Sequence, residues 1–218
     1  MQISAPLWTG EGAVRRLVVE TQGDRISRIA SETAALRPDA LVFPDSALLI
    51  PGLHDAHTHP LMGGLHLGYA DFSGVVSSGE FSERLRDYRA EREDVPGAWV
   101  QGGGLDETKV NITRTDIDKV CADLPVFIWS HDLHTVFVNS AALIRARIEG
   151  RVKDPEGGKF ERDSSGILNG VLRETAAHQV RRFIPPPTPA EARRALLRAQ
   201  ELAFSSGITA VGGSARKD

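Results

Sequence analysis

Residues 51–60 read Pro51-Gly52-Leu53-His54-Asp55-Ala56-His57-Thr58-His59-Pro60, and the fold of the chain is decided by how they are read. The apolar run Ala47-Leu48-Leu49-Ile50 ahead of them reads as a strand, which Pro51-Gly52 breaks. Leu53 to His59 then reads as a second short strand carrying His57 and His59 at its end. Side chains at i and i+2 of a strand point to the same side. Two imidazoles so placed, with Asp55 on the same side, can share one divalent ion at about 2.0–2.1 Å per nitrogen. The competing reading is a polar turn with chance histidines.

Toward the N-terminus, residues 1–50 are short strands with turn signals. Val14 to Glu20 alternates weakly, Gly23-Asp24 marks a turn, and Arg25 to Ala30 follows. Ala40-Leu41-Val42-Phe43 and Ala47 to Ile50 flank Pro44-Asp45-Ser46. This is the pattern of a small antiparallel sheet, and no catalytic cluster falls in it.

Toward the C-terminus, strands alternate with helices. The Gly-rich stretch Leu61 to Gly79 is not assigned, and His66 within it reads as a surface or core residue. Glu80 to Glu93 is helical, with Phe81, Leu85 and Tyr88 on one face. Trp99-Val100-Gln101 is a strand running into Gly102-Gly103-Gly104-Leu105-Asp106-Glu107. Those glycines allow close backbone approach to a ligand, but no helix-opening Lys-Ser/Thr follows, so this is not a phosphate loop. After a short helix over 113–122, Pro125 to Ser130 is the apolar strand of a sheet buried on both faces. Asn139 can cap a helix from Ser140 to Ile148. Glu149 to Ser165 reads as a polar loop, and Gly166 to Glu174 as a strand leading into a functional loop or helix. Thr188 to Glu191 is a capping box for a helix that Gly207 closes before a strand at Ile208–Val211. Alternation of this kind argues for parallel βαβ units from residue 53 onward. A full (β/α)8 barrel takes ~250 residues and rarely fewer than ~200, so residues 53–218 are expected to be the first part of one.

The composition is that of a globular protein, 41% hydrophobic and 25% charged over 218 residues. A net charge of −3 gives no reason to expect nucleic acid or an anionic membrane as partner. The single cysteine, Cys121, excludes an internal disulfide and fits a reducing, cytoplasmic compartment. Its helical spacing from Ile117 makes it a core residue. No signal peptide is visible, and no apolar run approaches the ~20 residues of a membrane span.

Pro51, Gly52, Asp55, His57 and His59 after an apolar strand resemble the first barrel strand of the amidohydrolase superfamily. Gly102 to Glu107, His131-Asp132-Leu133-His134 with Val138 to Leu143, and Gly170-Val171-Leu172-Arg173-Glu174 are similar to stretches of its YtcJ-like, or amidohydrolase 3, branch. That branch includes the N-substituted formamide deformylases. The resemblance runs over nearly the whole chain but covers only the first half or less of such a protein.

The resemblance implies an α/β fold: a partial (β/α)8 TIM-type barrel over residues 53–218, preceded by residues 1–52 as part of a small β-sandwich subdomain. It implies a divalent metal, zinc above all, held by His57, His59 and Glu174, the last in place of the carboxylated lysine of other members. It places His134, with Asp106 and Glu107, at the substrate, where His134 could donate to the carbonyl; structural hydrogen bonds in loops are the alternative. Metal pairs built on His131 with His134, or on Glu174 with His178, are weaker readings. The reaction implied is hydrolysis of a C–N bond in an amide or N-formyl compound by metal-activated water. The acidic proton shuttle and further histidine ligands of the family have no counterpart here, since no histidine follows His178. The alternative is therefore a non-catalytic, truncated remnant with a binding or regulatory role. An incomplete barrel leaves unpaired strands, so self-association or contact with a missing C-terminal half is expected.

Overall fold

Val126, Phe127 and Ile128 are each at most 1% exposed, as a strand covered on both faces requires. Around them the computed structural model, which describes residues 1–91, 97–148, 150 and 152–212, forms two compact units. One is Met1–Thr58 with the segment from Leu202; the other is His59–Glu201.

The first unit holds β1 (Gln2–Leu7), β2 (Arg15–Gln22), β3 (Arg25–Ser31), β4 (Leu41–Val42) and β5 (Leu53–Asp55). The first four make one sheet in the order β3-β2-β1-β4, antiparallel except for the parallel β1–β4 pair. Ala47 to Ile50 contributes only an isolated bridge between Leu49 and Leu7. The strand expected to run to His59 ends at Asp55. The Asp55 Oδ1 accepts the His57 N–H at 3.0 Å, a local turn that competes with strand pairing. Pro60 then opens a helix, its fixed φ and missing N–H suiting the first helical position.

The second unit begins with α1 (Pro60–His66) and β6 (Ala70–Asp71), followed by α2 (Ser78–Ala90), β7 (Val100–Leu105), α3 (Arg114–Asp118), β8 (Val126–Ser130) and β9 (Thr135–Val138). Next come α4 (Ser140–Arg145), β10 (Gly158–Arg162), β11 (Leu168–Glu174), α5 (Thr175–Arg181) and α6 (Pro189–Ser205), the last running on into the first unit. The expected C-terminal limit of α2, Glu93, lies outside the described residues. Six strands form one mixed sheet in the order β10-β11-β9-β8-β7-β6. Successive side chains of a strand face opposite sides, and the core follows that rule. Val126, Ile128, Phe137 and Val171 pack with Phe81, Leu85 and Ile117 of α2 and α3. Phe127, Val136, Val138 and Leu172 pack with Ala142, Leu143, Ala176 and Val180 of α4 and α5.

A uniformly parallel arrangement is not what forms. β6, β7 and β8 are parallel, but β8–β9, β9–β11 and β11–β10 are antiparallel. Only residues 131–134 link β8 to β9, whereas a parallel crossover needs a dozen or more. The stretch expected to be a polar loop contains β10, an edge strand whose polar residues pair with β11.

Asn139 caps α4 as expected, accepting from the Ala142 N–H at 2.9 Å. Thr188 and Glu191 form the expected capping box, with Thr188 N–H on Glu191 Oε2 at 2.8 Å and Glu191 N–H on Thr188 Oγ1 at 3.3 Å. The last strand, β12 (Ile208–Val211), pairs in parallel with β5 in the first unit, Ile208 opposite Leu53 and Val211 opposite Asp55.

Candidate active site

The strand directions bring the C-terminal ends of β7, β8 and β11 and the start of β9 to one end of the six-stranded sheet. β11 passes into α5 without a loop. The residue that makes the turn is Glu174, at φ 51° and ψ −123°. A non-glycine residue is rarely found there, and such strain persists where the surroundings over-determine it. Here they do. The Glu174 N–H donates to the His134 carbonyl at 2.9 Å, and Glu174 Oε1 lies 3.0 Å from His134 Nδ1.

His134 is presented by the turn between β8 and β9, which its own side chains hold. Asp132 Oδ1 accepts from Ser130 Oγ at 2.6 Å and from the His134 N–H at 3.1 Å. Ser130 Oγ accepts the Thr135 N–H at 3.0 Å. The bond from the Ser130 hydroxyl, then that from the His134 amide, keeps the Asp132 carboxyl below its usual range. Leu133 in this turn is also left-handed, at φ 64°.

Beside Glu174, Arg173 is fixed on all sides. Its Nη1 and Nη2 donate to Glu107 Oε1 and Oε2, each at 2.9 Å, a two-pronged fork. Its Nε donates to Glu161 Oε1 at 2.6 Å and Nη1 also to Thr135 Oγ1 at 2.9 Å. These carboxylates, Glu107 first and then Glu161, raise the guanidinium pKa further. Lys159 is the direct partner of Arg173 across the β10–β11 ladder, and Glu161 follows two residues on, where the register shifts.

The residues expected at the site fall into three groups. His134 and Glu174 are brought together. Glu107 is committed to Arg173 and to Thr135, whose hydroxyl it accepts at 3.2 Å. Asp106 closes a turn instead, accepting from the Thr108 hydroxyl at 2.6 Å and amide at 3.0 Å, with Lys109 Nζ at 3.4 Å. His57 follows β5 in the first unit, and His59 is the residue immediately before α1 in the second. Among the described residues, no group of three or more His, Cys, Asp or Glu side chains is gathered in a metal-holding arrangement.

The same end of the sheet carries a cavity of about 380 Å³. Gly102, Gly103 and Gly104 line it together with Tyr69, Trp129 and Leu133. His66 opens onto it, and burial first, then the charge of Arg181, lowers the pKa of that imidazole. Sequence reasoning missed Trp129, Tyr69 and the Arg173 fork. Their partners lie on other strands, and no local spacing announces them.

The model of the amidohydrolase family matches residues 46–218. The N-substituted formamide deformylase of Arthrobacter pascens is 34% identical over 170 residues, 73% of this chain and 31% of that protein. Protein LONG AFTER FAR-RED 3 of Arabidopsis thaliana is 31% identical over 170 residues, 77% of this chain and 29% of that protein. The putative amidohydrolase YtcJ of Bacillus subtilis (strain 168) is 28% identical over 169 residues, 76% of this chain and 32% of that protein. This chain therefore spans about a third of the length of these relatives. Among solved structures, an uncharacterized metal-dependent hydrolase from Pyrococcus furiosus superposes with a TM-score of 0.69 at 22% identity, over 98% of this chain and 44% of its own.

Proposed function

The chain belongs to the amidohydrolase family, and from that we propose that it is the N-terminal portion of a metal-dependent hydrolase of C–N bonds in amides or N-formyl compounds. The observation that carries the proposal is the Glu174 turn. A strained glutamate at a strand end, with one carboxylate oxygen on His134, is what a ligand held ready for use looks like.

We assign His57, His59 and Glu174 as the protein donors for a divalent ion, zinc being the best match to two imidazoles and a carboxylate. The donor set fits. Glu174 engages His134 through Oε1, which leaves Oε2 for an ion, and its side chain is 56% exposed. Bound there, the ion supplies Lewis acidity toward water and toward an amide carbonyl.

The chain's own residues set the rest. A carboxylate only accepts hydrogen bonds, so the proton of the His134–Glu174 contact belongs on Nδ1. Nε2 of His134 then accepts when the ring is neutral and donates when it is protonated. The oxyanion-donor role expected of His134 thus requires the imidazolium, which can also hand its proton to the leaving amine. Asp106 and Glu107, expected at the substrate, act from behind: Asp106 shapes its loop and Glu107 orients Arg173 next to Glu174.

In this reading β5 and β12 are strands of a (β/α)8 barrel, and the four-stranded sheet is part of a β-sandwich. Leu196, Leu197 and Phe204, all exposed on α6, suit contact with the C-terminal half of such a barrel or with a second copy of the chain. A cytoplasmic location accords with a single cysteine, Cys121, that is buried in the core. No helix among the described residues is long and apolar enough to cross a membrane.

The test measures bound metal by elemental analysis and amine release from simple amides. We expect metal to co-purify and to be lost in His57→Ala and Glu174→Gln. Metal-free protein with no turnover in either the chain or a longer version would leave only the non-catalytic reading.

A further inference from the structure

The hydrolytic reading makes no use of the cavity at the ends of β6, β7 and β8. We propose that this cavity binds a bulky apolar, preferably aromatic, substituent of the substrate amide, an inference that rests on the amidohydrolase reading for the word substrate. Its volume of about 380 Å³ lies within the ~300–1,000 Å³ of small-molecule sites. Its walls include Tyr69, Trp129, Leu67 and Leu133. The Trp129 ring is locked, edge-on to Phe127 at a centroid distance of 5.3 Å and covered by the Arg181 guanidinium at 5.9 Å. A rigid aromatic wall favours a flat apolar guest.

The floor is the Gly102-Gly103-Gly104 run, and its three glycines differ. At Gly102 a Cβ would lie 2.6 Å from the Phe72 ring, and Gly104 sits at φ +85°, so packing and backbone conformation account for both. Gly103 has neither constraint: a Cβ there meets no atom within 4 Å, and its φ is not left-handed. A glycine weakens a strand interior and commonly marks close approach of another group. The group that Gly103 leaves room for is the guest. The cavity adjoins the turn that presents His134, because Leu133 in the cavity wall is the residue before it and His134 contacts Glu174.

The experiment titrates phenylacetamide and acetamide separately into the metal-free chain, reading tryptophan fluorescence in wild type, Gly103→Ala and Gly103→Val. Phenylacetamide is expected to give a saturable change and acetamide none. Gly103→Val should weaken phenylacetamide at least tenfold, with an unchanged far-ultraviolet circular dichroism spectrum, and Gly103→Ala by less. If Gly103→Val misfolds, Gly103→Ala and protection of Trp129 from iodide quenching by phenylacetamide decide the matter. The proposal falls if phenylacetamide does not saturate, if acetamide binds equally well, or if the folded glycine variants bind like wild type. Metal and turnover do not enter the titration, so its failure and the failure of the hydrolase reading are separate results.

Discussion

Replacing Asn139 by alanine should remove a substantial part of the margin by which the second unit stays folded. The side chain is fully buried and every hydrogen-bonding site on it is used once. Its Oδ1 accepts from Val126 N–H at 3.0 Å and Ala142 N–H at 2.9 Å. Its Nδ2 donates to the Cys121 carbonyl at 2.6 Å and the Leu124 carbonyl at 2.8 Å. One amide thereby ties the turn after α3 to the first residue of β8 and to the start of α4. Each bond is worth about 0.5–1.5 kcal/mol net, and a buried group stranded by the change costs about 1–3 kcal/mol. Loss of the helix cap alone costs about 1 kcal/mol. Allowing for partial relaxation and water entry, Asn139→Ala should cost about 4 kcal/mol, out of the ~5–15 kcal/mol typical of a domain. Urea unfolding at pH 7 followed by circular dichroism measures this, with amide exchange at Val126 and Ala142 as the local readout. Asn139→Asp keeps both acceptor contacts and loses both donors, and should not match wild type. A loss below about 1 kcal/mol for the alanine variant would refute the reasoning, because it would mean these four bonds are replaced without cost.

Three further outcomes follow from the site. Glu174→Gly should raise the stability of the second unit by about 1 kcal/mol, since glycine tolerates φ 51°, while abolishing metal uptake; calorimetry and elemental analysis of one preparation check both. Arg173→Lys breaks the fork on Glu107 and should weaken metal binding at least several-fold while costing stability only about 1 kcal/mol, readable by isothermal titration and denaturant melts. Acid should destabilise the second unit in part through its turn carboxylates. Asp71, held below its usual range chiefly by Ser73, and Asp132, held chiefly by Ser130, have folded pKa values under their unfolded ones. Their contribution is fully present above the unfolded value of about 3.9 and is lost as pH falls through the folded values. Melts between pH 7 and 2 should show the loss beginning near pH 4, and less of it in Asp132→Asn.

Local signals were readable and pairings across distance were not. Pro125 to Ser130 announced a buried strand by its unbroken apolar run, and Asn139 and Thr188 announced helix starts by residue type and spacing. The same Asn139 gave no hint of its bonds to Cys121 and Leu124, because those carbonyls come to it only once the sheet has formed. The alternation of strands and helices argues for parallel units, but β9 is antiparallel to β8, because the four residues 131–134 between them are too few for a parallel crossover. β10 was hidden because its alternation is carried by charged residues at a sheet edge. At the site, His134 and Glu174 were each recognisable from a motif. Their contact, and the service of Glu107 to Arg173, depend on the register of β9 and β11 and could not be read from either motif.

β5 and β12 belong to one small parallel pair, yet roughly 150 residues separate them along the chain, and the entropy of closing so long a loop grows with its length. Residues 59–201 make a self-contained core within that loop, so collapse of the insert shortens the effective tether before the two strands meet. Refolding should therefore be hierarchical. Amides of β8 and β9 should gain protection in the early kinetic phase, and those of β5 and β12 only in a later one. A destabilised insert would then delay the pairing of strands it does not contain.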